Sequence, residues 1–261
     1  MSKIAVMAFS GGMDSTGLLV HLLAKNYEVH TLSYDYGQKH KLELGRAKAN
    51  IQYLLDNDIQ VSQKIVDLQS AMSVFHSALT TEDYEIPEGH YEEEQMKQTV
   101  VPNRNAIFAS ILYGYALSIA LKKNEKVKIA LGVHSGDHEI YPDCRPEFYE
   151  ALENAFKIGN WESEKLAFYL PYLEGDKETI LRDAENSLEK LNLNFDTIFA
   201  NTNTSYNPDK KGRSSGKSGA DIERILAFNA IGRKDPVPYI DDWPKVLEHA
   251  IQTEKKHKEK I

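Results

Sequence analysis

The residues best suited to chemistry lie near the start of the chain, in Ser10-Gly11-Gly12-Met13-Asp14-Ser15-Thr16. Two adjacent glycines let a backbone turn tightly and approach an anion with no Cβ in the way. Ser10, Ser15 and Thr16 add hydroxyl donors. Asp14 is the odd member, because a carboxylate beside phosphates is repelled unless it holds a cation or fixes the loop. The chemistry this combination serves is binding of a nucleotide phosphate. Its frame is visible on both sides. Ile4 to Phe9 is a near-continuous apolar run, as a strand buried on both faces requires. Thr16 to Ala24 reads as the first turns of a helix. A strand, a tight turn and a helix start form an anion site, since unpaired N–H groups and the helix dipole both face the loop. The plainer alternative is a capped turn with Asp14 or Ser15 as N-cap. No GxxxxGK[ST] sequence occurs in the chain, so this is not a Walker-type loop.

Three further places carry candidate groups. Lys177 follows Asp176, a good N-cap, and so falls in the first turn of a helix. Cations belong at helix C-termini, so a lysine there is either solvated or faces an anion. Arg104 stands at the entrance of another helix, where it either binds a phosphate or carboxylate, or caps and pairs with nearby acidic residues. The polar loop from His134 to Pro146 lies at a strand's carboxyl end, where open α/β sheets place their substrate residues. In it, Asp137 and Asp143 suit a guanidine-like N–H edge, and Arg145 suits a carboxylate. His134 and His138 lack a third matched metal ligand, and Cys144 reads as a small packed residue.

The elements that must position these groups alternate. Strands are expected at 27–36, 65–68 and 127–133, a strand and turn at 166–173, and helices from the loop 36–40 through about 55, at 106–120, 146–158, from 176, at 221–231 and from Trp243 into a fraying tail. Such alternation implies parallel βαβ units in a doubly wound α/β sheet with helices on both faces. The helix at 106–120 is apolar and rich in small residues (Ala109, Ser110, Gly114, Ala116, Ser118), so it is expected to be buried against the sheet. Residues 77–98 carry seven Asp or Glu side chains between 82 and 94 and few apolar ones, which reads as a charged surface insert or, alternatively, a lid. Residues 1–200 form the expected α/β domain, and 201–261 a loop and helical extension packed on it. A net charge of −8 argues against a nucleic-acid partner. The absence of an 18-residue apolar run or signal peptide argues for a cytoplasmic protein with no membrane partner. A single cysteine excludes a disulfide framework and any multi-cysteine metal site.

Ser10 to Ser15 resembles the SGGxDS loop of the ATP pyrophosphatase superfamily, which cleaves ATP between the α and β phosphates and implies an adenine nucleotide alpha hydrolase-like, Rossmann-like fold. Further blocks narrow the likeness: Tyr34 to His40, Val101-Pro102-Asn103-Arg104-Asn105, and Tyr141-Pro142-Asp143-Cys144-Arg145-Pro146-Glu147-Phe148. Over nearly its whole length the chain resembles the QueC family of 7-cyano-7-deazaguanine synthases, of queuosine biosynthesis. The resemblance implies that ATP activates the carboxylate of 7-carboxy-7-deazaguanine, that ammonia gives the amide, and that a second activation gives the nitrile (preQ0). It implies that Ser10, Gly11, Gly12, Asp14, Ser15 and Thr16 bind ATP with Mg²⁺ and that Lys177, Asp14 and Arg104 act on the phosphates. Tyr36, Gln38, Asp137, Asp143 and Arg145 are then the substrate residues, and a homodimer is implied as well.

One departure is plain. The family's four zinc-binding cysteines correspond here to Ser205, Ser215, Ser218 and Asp221. Hydroxyls are poor zinc ligands beside thiolates, so no zinc is expected, and the segment must be held by hydrogen bonds, by Arg213 and Lys217 pairing with carboxylates, or by a partner chain. With a basic stretch at 208–217, this leaves an alternative: a diverged ligase, as in antiviral systems, that joins the deazaguanine acyl group to another amine, such as one on a partner protein. A non-catalytic nucleotide or deazapurine sensor is the remaining alternative.

Overall fold

Side chains alternate along the first strand, β1 (Lys3–Ala8), and the alternation builds two cores. Ala5 and Met7 face one, Ile4 and Val6 the other, all at most 1% exposed. A strand buried on both sides belongs in the middle of a sheet covered twice, and the computed structural model, which describes residues 3–38, 42–80, 94–134, 136, 141–205, 208–209 and 211–259, places it there. Five parallel strands run in the order β3-β2-β1-β4-β5, with β2 at Tyr27–Asp35, β3 at Val61–Asp67, β4 at Val127–Ala130 and β5 at Leu166–Tyr169. The chain leaves β1 toward β2 on one side and returns through β4 on the other. A crevice therefore opens between the carboxyl ends of β1 and β4, the switch point where such sheets bind ligands.

One core packs helices α1 (Met13–Ala24), α2 (Leu42–Asp56), α6 (Lys177–Leu191), α7 (Phe195–Ala200) and α8 (Gly219–Ala230) on the sheet. The other packs α4 (Arg104–Lys123) and α5 (Pro146–Gly159). A short helix, α3 (Gln69–Met72), follows β3, and α9 (Trp243–Lys258) lies on α8. The doubly wound α/β arrangement expected from the sequence is thus present.

Several boundaries moved for physical reasons. Helix α1 begins at Met13, not Thr16, and its N-cap is Gly12, with no side-chain cap; Asp14 and Ser15 therefore sit in the first turn and are not caps. Strand β3 starts at Val61 because pairing with β2, Val29 opposite Val61, sets its length where hydrophobicity does not. Strand β5 ends at Tyr169 and a turn follows from Pro171, as the strand and turn expected over 166–173 require. In α4, Ala109 and Ala116 are buried, but Ser110, Gly114 and Ser118 lie exposed on the opposite face. Although α4 passes the length and composition test for a membrane span, it lies on β1 and β4. Helix α9 continues to Lys258, with pairs such as Lys258–Glu254 on its last turns, instead of fraying at the tail. Within the acidic insert, residues 81–93 are outside those described, while its base is closed by Ala78 N–H donating to the Gln98 carbonyl (2.7 Å).

Helices α1 and α6 approach closely enough that a Cβ on Gly17 would lie 2.5 Å from Ile180 Cγ2. A polar cluster fixes the same pair. His21 Nδ1 lies 2.6 Å from Asp183 Oδ2 and Nε2 2.7 Å from the Tyr169 hydroxyl, while the Tyr172 hydroxyl donates to Asp183 (2.5 Å). Burial acts to raise the Asp183 carboxyl, but hydrogen bonds from His21 and Tyr172 outweigh it and hold the group below its ordinary value of 3.8. A carboxyl lowered on folding stabilises the native state above its unfolded pKa and loses that contribution as pH falls. Asp183→Ala should therefore cost about 1 kcal/mol at neutral pH, allowing for partial exposure. It should also flatten the acid limb of stability below about pH 4, as read by thermal unfolding from pH 2 to 7.

Candidate active site

Building the site starts with the turn after β1. Gly11 adopts φ +86°, and a Cβ there would lie 2.4 Å from the Glu43 carbonyl oxygen, so only glycine fits. The Gly12 N–H donates to Ser10 Oγ (3.1 Å), Ser15 Oγ donates to the Gly12 carbonyl (3.2 Å), and the two serine hydroxyls lie 3.1 Å apart. The loop is thereby preset, with the amides of the first α1 turn directed into the crevice. Gly132, after β4, packs against Asp14, where a Cβ would meet the Asp14 carbonyl carbon at 3.2 Å.

Into this crevice comes Lys177, only 7% exposed despite its charge. Its Nζ lies 2.8 Å from His134 Nε2, 3.2 Å from Glu223 Oε2 and 3.5 Å from Asp14 Oδ2. Three elements thus converge on the ammonium that α6 carries: α1, the loop after β4 and α8. His134, 1% exposed, has the Gly136 N–H 3.1 Å from Nδ1; a neutral imidazole accepts at one nitrogen only, so it takes a proton from either Gly136 or Lys177 and not from both. The lysine that was out of place on its helix is compensated by side chains from elsewhere in the chain, so it is not a solvated residue.

The crevice opens into a cavity of about 270 Å³. Ser10, Gly12, Asp14, Ser15 and Lys177 line one end. Tyr34, Tyr36, Phe108 and Tyr149 line the other, with Tyr34 and Phe108 stacked at 4.1 Å and 11°. Arg104 stands between, beside the Tyr36 hydroxyl and the Glu43 carboxyl. Burial pushes the Glu43 carboxyl up to about 7, against the pull of Arg104. One end of the cavity suits phosphates, and the other a flat aromatic base.

Most of the residues singled out from the sequence meet here. Ser10, Gly12, Asp14, Ser15, Tyr36, Gln38, Arg104 and Lys177 line the cavity. Gly11 and Thr16 lie beneath it, Thr16 fully buried. The Gln38 side chain turns back on its own strand end, accepting from Tyr36 N–H (3.0 Å) and donating to the Tyr34 carbonyl (3.3 Å). Asp143 and Arg145 are not among the cavity-lining residues, and Arg145 is exposed; Asp137 and His138 lie outside the described residues. Cys144 is buried against Tyr141 and Ala220, as a packed residue. Glu43, Asn203, Thr204 and Glu223 were not anticipated. Nothing local in the sequence marks them, because each reaches the site only through tertiary contact.

A family model described as Queuosine biosynthesis protein QueC matches residues 4–232. The chain belongs to the QueC family. It is 42% identical over 239 residues to the 7-cyano-7-deazaguanine synthase of Marinomonas sp. (strain MWYL1), covering 92% of this chain and 99% of that one. To the enzyme of the same name from Caldicellulosiruptor bescii it is 43% identical over 235 residues, 90% of this chain and 96% of that one. Among solved structures, an NMN synthetase from Francisella tularensis aligns over 95% of this chain and 84% of that one at TM-score 0.43 and 11% identity, a likeness too slight to carry an argument.

Zinc, expected in the QueC family at four cysteine positions, does not fit the donors found here. The Asp221 carboxylate accepts from Ser205 Oγ (3.2 Å), Ser215 Oγ (3.4 Å) and the Ser218 N–H (3.3 Å) at Oδ2 and from Ser214 Oγ (2.6 Å) at Oδ1, so the four positions offer no thiolate and both oxygens of their one carboxylate are engaged by hydrogen bonds. Hydrogen bonds therefore hold this segment. Among the described residues Arg213 pairs locally, with Asp209 (2.8 Å). Behind it Arg224, 1% exposed, forms a two-pronged pair with Asp235 (2.6 and 2.9 Å) and donates to Thr202 and Thr204 hydroxyls (2.7 and 3.0 Å).

Glu43 offers a direct test. As pH rises through about 7 its carboxyl ionises in the cavity and opposes an incoming anion. Affinity for an anionic ligand such as ATP should fall between pH 6 and 8, and Glu43→Gln should remove that dependence in a binding titration.

Proposed function

We propose that this protein is an ATP-dependent carbon–nitrogen ligase that converts 7-carboxy-7-deazaguanine and ammonia to 7-cyano-7-deazaguanine. The observation that carries the reading is the convergence, in a QueC-family chain, of a phosphate loop and a buried lysine on one end of a cavity whose other end is aromatic. The deazaguanine ring lies against Tyr34, Tyr36 and Phe108, and the ATP phosphates lie on the Ser10–Thr16 turn. The two anions that must meet are the substrate carboxylate and the α-phosphate. Amides of the first α1 turn, Lys177 and Arg104 offset their mutual repulsion. Holding them in line is most of the remaining work.

The carboxylate oxygen attacks the α-phosphorus and pyrophosphate leaves, giving an acyl adenylate. Ammonia then attacks the acyl carbon, AMP leaves with the oxygen, and a proton is released. Repetition on the amide oxygen, with loss of a second AMP and the two amide protons, leaves the nitrile. Mg²⁺ fits Asp14, whose Oδ1 is buried with no hydrogen-bond partner among the described residues; when bound it neutralises phosphate charge. Asp14 is thereby relieved of its repulsion from the phosphates. Lys177, freed from part of its pairing when the phosphates arrive, follows the charge that develops on the α-phosphate. The reaction suits a cytoplasmic enzyme, where ATP is supplied.

The deciding assay supplies metal-stripped protein with ATP, Mg²⁺, ammonium and 7-carboxy-7-deazaguanine and reads the base products by mass. The nitrile is expected, with two AMP per product. Adenylate or amide accumulating without nitrile refutes the reading. Lys177→Ala should lower turnover by about 10²–10³-fold, with circular dichroism and thermal unfolding of the variant checking that the loss is not one of folding.

A further inference from the structure

Residues 202–205 lie beside the phosphate loop, where the Asn203 N–H meets Gly11, and among the described residues of 202–205 and 211–215 there is no named strand or helix. Arg224 holds the start of this segment through the Thr202 and Thr204 hydroxyls, and Ser214 pairs with the backbone of Pro238 and Ile240 at its end; one carboxylate gathers the serines between and beside these points. Asp221, 1% exposed in the first turn of α8, receives four donors, three of them serine hydroxyls from this segment. Three of the four fall on Oδ2 and one, from Ser214, on Oδ1, so both oxygens are engaged. The Ser218 hydroxyl accepts the Asp221 N–H (3.2 Å) and completes a capping box that starts α8.

Two connections run from this knot to the active site. In one, the Ser205 carbonyl accepts from Asn203 Nδ2 (3.1 Å), and the Asn203 N–H donates to the Gly11 carbonyl (3.0 Å) in the phosphate loop. In the other, α8 carries Glu223, half a turn on from Asp221, to within 3.2 Å of Lys177 Nζ. The same segment and α8 also supply Asn203, Thr204 and Ala220 to the cavity wall.

The geometry points to Asp221 as a positioning residue: gripped by Ser205, Ser214 and Ser215, it ties this segment to α8 without a metal and so holds Gly11 and Lys177 in register for ATP. The tie is made of hydrogen bonds that would have to break to admit a cation, and their donors are hydroxyls that compete poorly for zinc. The inference rests on the ATP-binding reading above, and two independent measurements separate its failure from that reading's.

The first needs no nucleotide. Purified full-length protein is assayed for zinc, and its thermal midpoint is taken with and without a zinc chelator. Substoichiometric zinc and an unmoved midpoint are expected; one zinc per chain with a midpoint that falls on chelation overturns the metal-free tie. The second measures Mg·ATP affinity. Asp221→Ala should weaken it roughly tenfold, the size of coupling expected between contacting groups. Wild-type affinity in that variant overturns the positioning role, and so does an equal loss in any variant of matched stability lacking a serine outside the knot. Should Asp221→Ala not fold, Asp221→Asn and Ser214→Ala, each removing part of the grip, carry the same comparison. The combined substitution Ser205→Cys, Ser215→Cys, Ser218→Cys and Asp221→Cys should recover ATP affinity with zinc and lose it to the chelator. Zinc binding without recovery would overturn the role. If wild type fails to bind ATP, the ATP reading falls, while the zinc measurement still decides the tie.

Discussion

An ammonium taken out of water is tolerated only where charge and hydrogen bonds replace its hydration, and Lys177 sets that requirement at the centre of the molecule. Asp14 and Glu223 meet it with charge from two separate stretches of chain, and His134 Nε2 lies beside it from a third. The turn after β1, the turn after β4, the start of α6 and the start of α8 must therefore be in place together. Removing any one would leave a buried charge underpaired. The same charge that makes the site costly is the one an incoming phosphate can take over, so compensation in the empty site and function in the filled one draw on a single group.

The sheet makes this convergence possible. Strand order 3-2-1-4-5 opens the crevice beside β1, and the two faces of β1 hand their side chains to two different helix layers. The phosphate end of the cavity is built from backbone, with glycine where only glycine fits. The base end is built from side chains of β2, the loop after it, and α4 and α5. Backbone donors suit a ligand part common to many enzymes, and the aromatic end suits what is particular to one substrate.

At the carboxyl-terminal side the energetics are those of buried polar groups fully paired. Arg224 and Asp235 bury a full pair of charges, and the surrounding hydroxyls and the Phe199 carbonyl take the guanidinium protons left over, while Tyr239 donates to the carboxylate (2.6 Å). Such pairs contribute less to net stability than to fixing one arrangement. That is what a segment without regular structure needs when it forms a cavity wall.

The sequence alone determined the sheet class, since strands alternating with helices leave little else to build. It also determined the phosphate turn, because Ser10 to Thr16 is contiguous and its chemistry depends on local backbone. Lys177 was legible as a charge at the wrong end of its helix, although what it faces was not. Glu43, His134 as a partner of Lys177, Asn203 and Glu223 were decided by tertiary structure, as each arrives from a distant element whose approach no spacing encodes. The limits of β3 and α1 were set the same way, by pairing and by the turn before them. At Ser205, Ser215, Ser218 and Asp221 the sequence could say only that thiolates were missing. That the Asp221 carboxylate gathers the Ser205 and Ser215 hydroxyls, with Ser214 beside them, was decided by tertiary structure, because Ser205 stands 16 positions before Asp221 and only folding brings donor and acceptor within reach.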